Sequence, residues 1–141
     1  MQYRWEFDHN EVNWKELSDL YKIAPLGNKD PKKLEIVFAN SMYKYFVYVG
    51  SKLVGAGRCL SDGFDCAYIC DIAIHPDYQG FGLGSVIINK FIEDTKGFEK
   101  VILYSVPGKE EFYSKFGFEK MTTAMAIFKN QKSAYEKGLV S

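Results

Sequence analysis

Residues 75–85 read HPDYQGFGLGS, and the reading of this stretch decides the fold. The apolar run YICDIAI (68–74) comes just before it. LGSVIINKFIED (83–94) begins inside it, with apolar residues at helical spacing. Gly80, Gly82 and Gly84 therefore stand where a strand turns into a helix. Such a junction leaves backbone N–H groups pointing outward at the positive end of a helix dipole, which suits an anion. Glycine removes the Cβ atoms that would keep a phosphate away from those donors. Two common phosphate patterns fail here. The P-loop pattern needs Gly-Lys-Ser/Thr, and Gly84-Ser85 has no lysine between them. The dinucleotide pattern needs G-x-G-x-x-G, and Gly84 comes one residue early.

The pattern that fits is Q-x-x-G-x-G, carried by Gln79, Gly82 and Gly84. The block IAIHPDYQGFGLGSVII (72–88) resembles the acyl-CoA pyrophosphate loop of the GNAT superfamily of N-acetyltransferases. A second stretch, PGKEEFYSKFGF (107–118), is similar to that family's later F-Y-x-x-x-G-F helix-turn. Chain length and element order also suit a minimal GNAT domain, although the first 60 residues carry no motif.

The resemblance implies roles for matching positions. Backbone N–H groups across Gln79, Gly80, Phe81, Gly82, Leu83, Gly84 and Ser85 would hold the CoA pyrophosphate. The main chain of Ile72, Ala73 and Ile74 would pair with the pantetheine arm as an added strand does. That strand would splay from the next, Val101 to Val106, to admit the acyl group. An N–H near Ile72 or Ile74 would then polarise the thioester carbonyl. Phe112 and Tyr113 would lie beside the cofactor, with Tyr113 the general acid to the leaving thiolate. On spacing alone, Phe112 and Phe116 form the apolar face of a short helix, and Tyr113 could join them. Many family members have Asn and Ala before the tyrosine, where this chain has Val106-Pro107-Gly108-Lys109. Lys109 or Lys115 is a candidate for the CoA phosphates in place of that Asn, and a solvated surface lysine otherwise.

Asp71 is the single charged residue between Ala67 and Ile74. A carboxylate in such a run is either a general base for the amine, with a raised pKa, or a hydrogen-bonded strand residue. Tyr68 is a weaker water-relay candidate, and His75 opens the loop after the strand.

Outward from this centre, Tyr3 to Phe7 alternates as a short strand does. Asn13 caps a helix with Glu16 three residues on, and Asp30-Pro31 starts a second one. The second helix presents Leu34, Val37, Phe38 and Ser41 on one side. YKYFVYVG-SK-LVGAGRCL forms a hairpin turning at Gly50-Ser51. The helix after the glycines turns Leu83, Val86, Ile87, Phe91 and Ile92 to the core. KVILYSV is a short buried strand, Gly117 stops the helix KEEFYSKF, and MTTAMAIF (121–128) is a last strand. The fold class is therefore α/β, the GNAT acyl-CoA N-acyltransferase fold, with a mixed central sheet and helices on both faces. Residues 1–141 form one domain.

Composition agrees. The 141 residues are 47% hydrophobic, enough for a core without disulfide or metal, and Lys+Arg equals Asp+Glu at 18 each. Zero net charge disfavours a nucleic-acid or anionic-membrane partner. No apolar run approaches the ~20 residues of a membrane helix. MQYRWEFDHNE shows no signal-peptide pattern. Cys59, Cys66 and Cys70 read as free thiols of a cytoplasmic protein, and with only His9 and His75 beside them no metal site is expected. The implied cosubstrate is acetyl-CoA, and the acceptor is a small amine or a peptide amine. No acidic cluster selects among acceptors, and a homodimer stays open. The alternative to an enzyme is a GNAT-fold module that binds acyl-CoA as a sensor or scaffold.

Overall fold

The computed structural model describes residues 2–141. By backbone contacts the chain divides into two units, Met1–Leu103 and Tyr104–Ser141.

The first unit holds the sheet. Its elements run β1 (Arg4–Glu6), α1 (Trp14–Ile23), α2 (Pro31–Ala39), β2 (Tyr43–Val49), β3 (Lys52–Ser61), β4 (Cys66–Ile74), α3 (Leu83–Asp94) and β5 (Lys100–Ile102). The strands lie in sequence order β1-β2-β3-β4-β5. The first four pair antiparallel, and β5 pairs parallel to β4. A parallel neighbour needs a crossover, and α3 supplies it. Both N-caps form as the sequence implies: Asn13 accepts from Glu16 N at 3.0 Å, and Asp30 from Lys32 N at 2.8 Å. The Glu16 carboxylate does not close a capping box; it accepts from Leu53 N at 3.0 Å and ties α1 to β3.

Alternation divides the sheet into two faces. Phe46, Tyr48, Ala56 and Ala73 join Leu17, Leu20, Tyr21, Leu34 and Phe38 in one core beneath α1 and α2. Tyr45, Gly55, Gly57 and Ile72 face α3, where the tilted rings of Phe91 and Tyr45 pack with centroids 5.0 Å apart. Helices therefore cover both faces. Along α3 the buried set is Leu83, Ile87, Ile88 and Phe91, while Val86 is exposed and Ile92 half-buried. The expectation for Val86 fails because the 3.6-residue turn carries Ile88 rather than Val86 onto the stripe shared by Ile87 and Phe91.

The second unit contains α4 (Glu110–Ser114) and α5 (Gln131–Glu136), the latter absent from the sequence reading. Two strand expectations need correction. β5 stops at Ile102 instead of reaching Val106, and Ile102, Tyr104 and Val106 are exposed rather than buried. Residues 121–128 form no strand: they have no ladder partner among the described residues. Alternation favours a strand only where an edge is present to pair with it. No helix among the described residues is long and apolar enough to cross a membrane.

Candidate active site

The glycine segment hangs from the end of β4. His75 N donates to Val54 O at 2.8 Å, and His75 Nδ1 accepts from Asp77 N at 3.1 Å, shaping one 3-10 turn over Pro76–Tyr78. Gln79 Nε2 returns to Ile74 O at 3.0 Å, so the signature glutamine ties the loop back to the strand. Gly80 and Gly82 both take φ of +83°, a left-handed backbone that suits glycine. A Cβ at either would meet nothing within 4 Å. Backbone twist, not crowding by protein atoms, calls for glycine there. Gly82 is the N-cap of α3 and offers no side chain to cap it. The N–H groups of Leu83, Gly84 and Ser85 thus begin the helix without a side-chain cap, with the helix dipole behind them.

Two other glycines seat this helix. A Cβ on Gly57 of β3 would come within 3.1 Å of Phe91, 3.2 Å of Ile72 and 3.3 Å of Ile87. One on Gly55 would reach Leu83 at 3.3 Å. These contacts let α3 lie close against β3 and fix its N-terminus beyond β4. β4 and β5 are paired only from Cys66↔Lys100 to Tyr68↔Ile102. Past that point Ile69–Ile74 has no strand on its β5 side among the described residues. Ile72, Ala73 and Ile74 lie on this open edge, directly before the glycine turn.

Asp71 has φ of +55°, the one left-handed non-glycine among the described residues. The β3–β4 register shifts here: Ala56 faces Ala73 and Arg58 faces Cys70, so Asp71 and Ile72 bulge opposite Gly57. Bulges of this kind re-aim a strand beside functional sites. Asp71 Oδ2 accepts from Arg58 Nε at 2.8 Å, and Oδ1 lies 3.5 Å from Lys29 Nζ. Its carbonyl oxygen accepts from the hydroxyl of Tyr21 at 2.6 Å. Asp71 is therefore hydrogen-bonded and ion-paired within the strand, one of the two environments expected for it. The sequence does not connect Tyr21, Lys29 and Arg58 with Asp71, because they come from α1, the loop after it and β3; the one local signal is an arginine inside the apolar β3.

Tyr113 lies in the second unit, on α4. Its ring packs edge-on against Phe112 at 5.1 Å and Phe118 at 6.3 Å, and Phe112 also meets Phe116 at 5.4 Å. Burial pushes the Tyr113 hydroxyl above the ordinary tyrosine pKa. The helix ends earlier than expected, at Ser114 with Lys115 as its C-cap, so Gly117, with φ of +99°, closes the following turn instead of stopping the helix; Lys109 and Lys115 are exposed at the two helix ends. The structure thus brings together Asp71, Ile72–Ile74 and residues 79–85 in the first unit. Phe112 and Tyr113 form their own aromatic group in the second.

The fold also gathers an acidic cleft that composition hid. Glu6, Asp8, Glu11 and Glu16 line a cavity of about 220 Å³ with Arg4, which pairs with Glu6. These groups are spread over β1, its following loop and α1, so no run of charge announced them.

A mixed sheet with an open strand edge, running into a glycine turn whose helix start has no side-chain cap, is the arrangement of the α/β GNAT fold. The acetyltransferase (GNAT) family model matches residues 5–118, and the chain belongs to that family. It is 35% identical over 118 residues to an uncharacterized N-acetyltransferase ycf52 of Pyropia yezoensis, covering 79% of this chain and 68% of that one. A ycf52-like N-acetyltransferase of Prochlorococcus marinus is 33% identical over 109 residues, covering 73% of this chain and 61% of that one. Among solved structures it resembles Arabidopsis thaliana Naa50 in complex with the bisubstrate analogue CoA-Ac-MVNAL. That likeness has a TM-score of 0.69 at 22% identity and covers 86% and 85% of the two chains; it speaks for the fold alone.

Proposed function

We propose that this protein transfers an acetyl group from acetyl-CoA to a primary amine by direct attack in a ternary complex. The observation that carries the reading is the turn at 79–85, whose uncapped N–H groups follow directly on the open edge of β4. The pyrophosphate sits on those donors and the pantetheine runs along Ile72–Ile74. The amine nitrogen attacks the thioester carbon, and the Ile72 N–H stabilises the oxyanion that forms. Collapse of the intermediate breaks the C–S bond, and the thiolate takes the Tyr113 hydroxyl proton. Asp71 accepts the amine proton, directly or through water, at Oδ1, the oxygen not bonded to Arg58 and 3.5 Å from Lys29 Nζ. Phe112 supports Tyr113 beside the cofactor.

One domain over 1–141 accords with a family match that runs across the boundary at Leu103. Free Cys59, Cys66 and Cys70 accord with a reducing compartment, and we assign the cytoplasm. Burial pushes the Cys59 thiol up to about 12, so it stays protonated and unreactive. The acceptor is a small amine or a peptide amine; the peptide-bearing analogue in Naa50 is a reason to include N-terminal peptides among those tried.

The test is a panel of small amines, amino-acid derivatives and peptides, each incubated with acetyl-CoA while free CoA is followed. Amine-dependent CoA release is expected. Tight acetyl-CoA binding with no release against any amine would instead make the protein an acyl-CoA sensor.

A further inference from the structure

The bulge in β4 is held from outside the strand, and the holding group is a tyrosine on α1. Tyr21 is fully buried in the α1–α2 core, packed among Leu17, Leu20 and Phe38. Its hydroxyl donates to the Asp71 carbonyl at 2.6 Å across 50 residues of sequence. The Asp71 side chain is pinned separately, by Arg58 at 2.8 Å and Lys29 at 3.5 Å. Arg58 is steadied in turn by Ser41, whose Oγ lies 3.4 Å from Nη1. Two elements, α1 and β3, and the loop after α1 thus converge on a residue with φ of +55°, a left-handed conformation that strains a non-glycine residue. Such strain persists only where surrounding contacts over-determine it, and here they do.

No cis peptide occurs among the described residues, so the Asp71 C=O and the Ile72 N–H point in opposite directions across one plane. Fixing the carbonyl fixes the N–H. A hydrogen bond to the carbonyl also polarises the peptide and makes its N–H a stronger donor. We propose that Tyr21 is a positioning residue for acetyl transfer: its hydroxyl sets the direction and donor strength of the Ile72 N–H that faces the thioester oxygen. The proposal rests on the reading of that N–H as the oxyanion donor. It also explains why a tyrosine rather than a phenylalanine occupies a site otherwise lined by Leu17, Leu20 and Phe38. Burial and the neighbouring Asp71 carboxylate hold the Tyr21 hydroxyl well above the ordinary tyrosine range, so it remains a donor at every working pH.

The experiment is isotope-edited infrared spectroscopy of acetyl-CoA labelled with carbon-13 at the acetyl carbonyl, bound to the full chain without acceptor. In the native protein the carbonyl stretch is expected below that of free acetyl-CoA. In Tyr21→Phe it should return at least halfway toward the free value. The acetyl-CoA Kd should change less than about twofold, and kcat with any amine found in the panel should fall roughly tenfold, less than for removal of an oxyanion donor itself. Phe38→Leu, which loosens the same core without touching the carbonyl, should leave the stretch at its native position. If it moves the stretch as far as Tyr21→Phe does, the effect is general packing and the proposal fails. A native stretch equal to that of free acetyl-CoA overturns the oxyanion reading itself. A lowered native stretch that Tyr21→Phe leaves in place overturns the role of Tyr21 alone. Should Tyr21→Phe not fold, 3-fluorotyrosine at position 21 serves instead: its more acidic hydroxyl should lower the stretch further, and no movement overturns the proposal.

Discussion

β4 and residues 121–128 are both short apolar segments, and the structure treats them in opposite ways. β4 is paired with β3 along its length and with β5 at its start, and it buries Ala67, Ile69 and Ala73. Residues 121–128 have no ladder, and Met125 and Ile127 are each 97% exposed. The difference teaches that a strand is a property of the edge beside it as much as of its own residues. It also separates two kinds of functional placement. Around β4, a bulge, an ion pair and a buried hydroxyl hold each group in position. In the second unit, Tyr113 is held by edge-on packing of its ring against Phe112 and Phe118.

Substitutions can break this contrast or sharpen it. The largest effect belongs to Gly82→Val, which sets a β-branched residue at a left-handed φ and covers the α3 donors. Acetyl-CoA at a hundredfold excess over its Kd should stabilise the native protein by about 2.7 kcal/mol and raise its Tm by several degrees. The variant should show no such shift, and a preserved one would remove the glycine turn from the binding site. Next comes Ile69→Ala, which opens a cavity in β4 and should cost about 2–4 kcal/mol in denaturant unfolding.

Tyr113→Phe should lower kcat roughly 10–100-fold with CoA affinity nearly intact. The sign of its pH effect follows from burial. An acid must hold its proton to donate it, so rate is lost as pH rises through the Tyr113 pKa. Since that pKa is raised, the basic limb belongs above the ordinary tyrosine value near ~10. Unchanged turnover at every pH would leave Tyr113 a packing residue. Asp71→Asn should lower kcat about tenfold with the acetyl-CoA Kd nearly unchanged. Unchanged turnover would reduce Asp71 to its structural part in the bulge. The smallest effect is expected from Ile127→Ala, within about 0.5 kcal/mol of native stability. A cost near that of Ile69→Ala would show that 121–128 is packed in solution and would erase the contrast.

Legibility in the sequence tracks how local each feature is. The hairpin at Gly50-Ser51, the caps at Asn13 and Asp30 and the turn at 79–85 each depend on contacts within a few residues, and each was readable. Ile88, β5 and the segment after Phe118 depend on which surface the chain meets, and there the sequence reading erred. Asp71 was conspicuous as a lone charge, yet its partners Arg58, Lys29 and Tyr21 lie 13 to 50 residues away.

By itself the sequence determined the strand–glycine–helix junction. Left-handed glycines and an uncapped helix start are local backbone chemistry, and nothing distant is needed to form them. Only the tertiary structure decided the environment of the β4 bulge. An ion pair and a buried hydroxyl from α1 act there through space, and no spacing of residues along the chain encodes the distance between them.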